Sequence, residues 1–97
     1  MSHKLAVSGR TTDGKSVIRG VFWLVASDGV PIEVIVAELK GKGHVVDCVD
    51  FYDTAKSEGW NPASIQLRIE MAVGEVYGLT YREAVSRRIQ LHTPRKA

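Results

Sequence analysis

The chain holds a single cysteine, Cys48, which excludes an internal disulfide and a four-cysteine zinc site. A lone cysteine within an apolar stripe is expected to act as a small buried hydrophobe, in keeping with a reducing compartment. Long apolar runs are missing too. The longest, Val21 to Ala26, falls far short of the ~20 residues a membrane span needs. Met1 to Gly14 is polar and lacks the apolar core of a secretory signal, so none is expected. Charge of one sign is not in large excess: a net charge of +2 is too small to force a nucleic-acid reading. No glycine-rich phosphate loop follows a candidate strand, and no Ser-His-Asp order, paired-carboxylate pocket or reactive-cysteine setting is legible. These absences lead us to expect a soluble, cytoplasmic, non-enzymatic protein without cofactor or metal.

What is present fits one small domain. Ninety-seven residues with 44% apolar content suffice for a single core. Residues 1–15 read as a flexible arm, 16–93 as one helical domain and 94–97 as a basic tail. The charges are unevenly spread. Arg82, Arg87, Arg88, Arg95 and Lys96 crowd the end of the chain, while Asp47, Asp50, Asp53 and Glu58 gather in the middle. A basic end and an acidic flank follow.

Helical spacing recurs along the chain. Ile18, Val21, Phe22 and Val25 fall at i, i+3, i+4 and i+7, and Ile32, Ile35, Val36 and Leu39 repeat the pattern after Pro31. Val45, Cys48, Val49 and Tyr52 give the stripe again, with Gly59 and Trp60 placed for a Schellman closure. Asn61 and Pro62 open a fourth helix, whose apolar face is Ile65, Ile69, Ala72, Val73 and Val76. Thr80-x-x-Glu83 reads as a capping box for a fifth helix, which must stop near Pro94. The expected fold is all-α, a compact bundle of about five short helices. Ile35, Leu39, Val49, Tyr52, Ile69 and Val73 should share its core. The alternative is α+β with an N-terminal β-hairpin closed by Asp13-Gly14, and with a buried strand over Val45–Tyr52. The recurrence of Asp47, Asp50 and Asp53 every third residue favours the helix there.

One stretch suggests a chemistry. Between Ile65 and Gln90 an amphipathic segment runs through Gly74 and Gly78 into a basic one, the layout of a helix-turn-helix-like pair. Gly74 would let the helices cross closely, Gly78 would permit a positive φ, and Val85 or Ala84 would seat the second helix. A helical wheel places Arg82, Glu83, Ser86, Arg87 and Gln90 opposite Tyr81, Val85 and Ile89. Arginine pairs with guanine and glutamine with adenine in the major groove, while Arg95 and Lys96 would hold phosphates. Arg88 falls on the apolar face and is expected to pair with a carboxylate such as Glu75. The first functional reading is therefore a small DNA-binding regulator or nucleoprotein adaptor that contacts double-stranded DNA through Arg82, Ser86, Arg87, Gln90, Arg95 and Lys96. The alternative is a non-enzymatic protein-interaction module or homo-oligomer subunit docking through Asp47, Asp50 and Glu58. His44-x-x-Asp47-x-x-Asp50 has metal-like spacing, but as a mixed set at a helix start it is more simply read as a solvated face.

Overall fold

Five residues, Thr11 to Lys15, turn the chain back on itself. The Thr11 amide donates to the Lys15 carbonyl at 2.8 Å, and the Lys15 amide to the Thr11 hydroxyl at 2.9 Å. The computed structural model, which describes residues 5–92, thus begins with a hairpin of β1 (Ala6–Arg10) and β2 (Ser16–Arg19). Antiparallel pairing sets Ala6 opposite Arg19 and Arg10 opposite Ser16, with a bulge between Val7 and Gly9. Gly20, at φ +91, swings the chain from β2 into α1 (Val21–Ala26). Helix α2 (Ile32–Gly41) follows, and β3 (His44–Val46) then pairs parallel to β2, with Val17 opposite Val45. The sheet order is β1-β2-β3.

Three helices complete the chain: α3 (Cys48–Ser57), α4 (Pro62–Tyr77) and α5 (Leu79–His92). Their ends follow local chemistry. The Asp47 carboxylate accepts the Asp50 amide at 3.0 Å and caps α3. At its far end Trp60 N–H donates to the Ala55 carbonyl and Gly59 N–H to that of Lys56, with Gly59 at φ +95, which is the anticipated Schellman closure. Asn61 caps α4 through the Ser64 amide at 3.1 Å, with Pro62 in the first turn.

The all-α expectation is corrected: the described residues form an α+β fold of five helices and a three-stranded mixed sheet, which is the alternative. The reason is local. Ile18 belongs to β2, and the left-handed Gly20 breaks the apparent helical stripe between Ile18 and Val21. Val45 likewise sits on a strand too short to show alternation. The three-residue recurrence of aspartates arises from capping, since Asp47 is the cap and only Asp50 and Asp53 are helical.

The helices and sheet enclose one core. Phe22 stands edge-on to Phe51 and Trp60, with ring centroids 5.7 and 5.0 Å away. Ile35, Leu39, Tyr52, Ile69 and Val73 lie in the same buried cluster, as expected, whereas Val49 is half-buried. Every residue of β1 is exposed, so this strand forms an outer edge.

Candidate functional site

Helices α4 and α5 are separated by Gly78 alone, at φ +102 and ψ +176. Such a conformation is nearly confined to glycine and reverses the chain at once. Contacts then run the length of the pair in antiparallel order. Tyr77 stacks on Tyr81 near the turn, with ring centroids 4.3 Å apart and planes 14° from parallel. Farther along, the Arg82 stem lies across Gly74, where an added Cβ would stand 3.0 Å from Arg82 Cδ. Arg82 Nε is 3.7 Å from Glu70 Oε1. The Gln66 amide donates to Glu70 at 2.8 Å and to the Ser86 hydroxyl at 3.3 Å. Val85 is buried and Ala84 exposed, so Val85 seats the helix. The result is an αα-hairpin joined by one residue, shorter than the roughly three- to four-residue turn of a helix-turn-helix. The anticipated Thr80 capping box does not open α5, because Leu79 and Thr80 are already helical.

The residues expected to meet DNA are divided by this arrangement. Arg82 and Ser86 face α4 and join Gln66 and Glu70 in one polar row. Arg87 and Gln90 are exposed. They border a shallow cleft that also holds Glu70 and Glu83, so carboxylates stand among the cations. Arg95 and Lys96 lie outside the described residues. Arg88 is exposed beside the β1–β2 loop, in a groove with Asp13, Lys15 and Tyr81. Glu75, its expected partner, lines a different groove with Glu33 and Met71.

The acidic residues of the alternative site are largely occupied inside the fold. One Asp47 oxygen caps α3, and the other accepts the Ser8 hydroxyl at 2.7 Å. Asp50 accepts the Gly20 amide at 2.9 Å. Both carboxylates therefore tie the hairpin to α3, and of the three only Glu58 is exposed. His44 lies on β3, so it shares no helix face with Asp47 and Asp50. Among the described residues no cluster of three His, Cys, Asp or Glu side chains is arranged to hold a metal ion.

Two groups are held far from reactivity. Burial pushes the Cys48 thiol up to about 12. Tyr81 is also raised to about 12, chiefly by desolvation. Cys48 behaves as the small hydrophobe expected of it, 7% exposed within the core.

A surface the sequence reading passed over stands on the outside of α4. Leu67 and Met71 are 52% and 57% exposed, and Leu79 just past the turn is 68% exposed. Their neighbours on that side are Ser64, Arg68 and Glu75, all exposed. A groove of about 470 Å³ runs beside Met71, lined by Val25, Val30, Ile32, Arg68 and Glu75 among others. The Arg68 guanidinium sits over the Trp60 ring, 5.1 Å from its centroid. The signal was present in the wheel of α4, where Leu67 and Met71 are spaced i, i+4 on the side opposite the face read as core.

Comparison with protein-family models, with curated proteins and with solved structures finds no match to this chain. Among the described residues no helix is long and apolar enough to cross a membrane.

Proposed function

We propose that this chain is a non-enzymatic protein-interaction module that works in the cytoplasm through the outer face of α4. The observation that carries the reading is the pair Leu67 and Met71, apolar side chains left more than half exposed on the same side of one helix. Scattered exposed apolar residues are ordinary, but a cluster rimmed by charges and bordered by a groove is the usual mark of a contact surface. Aliphatic and methionine side chains there fit a packed protein partner better than phosphates.

The same geometry takes weight from DNA reading by α5. Arg82 and Ser86 are engaged with Glu70 and Gln66, so using them on base edges would first break contacts within the fold. Glu70 and Glu83 stand beside Arg87 and Gln90, where a phosphate backbone would meet repulsion.

The test is a titration of the full chain with mixed-sequence duplex DNA at low and at high salt. We expect no salt-sensitive binding at micromolar concentration. Binding that weakens steeply as salt rises would return α5 to the role of DNA reader and sink this proposal.

A further inference from the structure

The charges beside Met71 specify a partner. Arg68 and Glu75 lie on the same exposed side of α4, Arg68 on the N-terminal side of Met71 and Glu75 on the C-terminal side, two helical turns apart. Such an arrangement is self-complementary. A second α4 laid antiparallel across the first, with a two-fold axis passing beside Met71, brings Arg68 of each copy next to Glu75 of the other. Both ion pairs come from one sequence, and the two Met71 side chains meet at the axis. Resting on the proposed interaction function, we infer that the partner of this face is a second copy of the chain, joined through α4 in an antiparallel two-fold dimer.

Several features agree with that occupant. Arg68 is propped over Trp60 and so presents its guanidinium from a fixed base. A parallel pairing would instead set like charges side by side, so the antiparallel orientation is selected by repulsion as well as attraction. The β1 edge is the other route to self-association, and its bulge between Val7 and Gly9 disfavours strand-to-strand pairing. Helix α4 has sixteen residues and is therefore about 24 Å long, which places the contact at the small end of specific interfaces.

Sedimentation equilibrium of the full chain from a few micromolar to several hundred micromolar reads this directly. The wild type should pass from monomer to dimer over that range. Met71→Asp should hold it monomeric, with an unchanged circular-dichroism spectrum because Met71 is exposed. Arg68→Glu and Glu75→Arg should each weaken the dimer about tenfold, since each sets like charges together twice. The double variant Arg68→Glu/Glu75→Arg should recover the wild-type constant, because reversing both charges keeps the surface self-complementary. A chain monomeric throughout overturns the dimer, and if it also ignores duplex DNA the interaction reading stands with a different partner. A dimer indifferent to all four variants overturns the α4 face as its contact. Salt-sensitive DNA binding by a monomer overturns the dimer and the interaction reading together.

Discussion

Two glycines on the same helical hairpin, Gly74 and Gly78, should answer the same substitution in opposite ways. Gly78 has φ +102 with ψ near 180°, a region that side chains strongly resist, so Gly78→Ala should cost about 1–3 kcal/mol in a urea melt. Gly74 is helical, and its only close neighbour is the flexible stem of Arg82. That stem is half exposed and can give by the few tenths of an ångström required. Gly74→Ala should therefore gain a part of the ~1 kcal/mol of helix propensity that glycine forfeits. Destabilisation at Gly74 would show that the Arg82–Glu70 contact is held rigidly. Cys48 gives a third residue-level expectation. With its thiol raised to about 12, the native chain at pH 8 should leave a thiol reagent nearly unreacted, and urea should release the reaction. Sequence reasoning found these three residues because a turn glycine, a crossing glycine and a buried cysteine each follow from local chemistry.

At the scale of elements, the aspartates of α3 matter as fasteners. Asp47→Ala removes both the helix cap and the acceptor of the Ser8 hydroxyl, so stability should fall by about 1–2 kcal/mol, with faster amide exchange in β1. Asp50→Ala frees the Gly20 amide and should loosen the joint between β2 and α1 by about 1–3 kcal/mol. An unchanged exchange rate at Gly20 would mean that water replaces the carboxylate without loss. These roles were not legible in the chain itself. Asp50 and Gly20 are thirty positions apart, and no periodicity links a loop amide to a distant carboxylate. Helices α2 and α4 were legible because an uninterrupted stripe and a Pro or Asn start mark each one. Strands β2 and β3 were legible only as the alternative, because they are four and three residues long and each runs almost directly into a helix, so helical spacing outweighed them. The exposed face of α4 was overlooked for a different reason: Leu67 and Met71 fall off the core stripe, and single apolar residues there are ordinary at a protein surface.

Across the whole molecule, one core serves both the sheet and the helices. Ile35 is 5% exposed within it, so Ile35→Ala should destabilise the chain by about 2–5 kcal/mol. A loss below about half a kilocalorie would mean that the cavity collapses freely, against the close packing of interiors. Arg88→Ala should change stability by less than about 0.5 kcal/mol, as its side chain stands at the surface. The parallel pairing of β2 with β3 also carries a kinetic consequence. Helices α4 and α5 are joined by Gly78 alone and can pair locally, but Val17 reaches Val45 only after the intervening chain has closed. Long-range pairing of this kind is slow to form. The C-terminal helices should gain amide protection first during refolding, and the N-terminal strands should join a scaffold that is already standing.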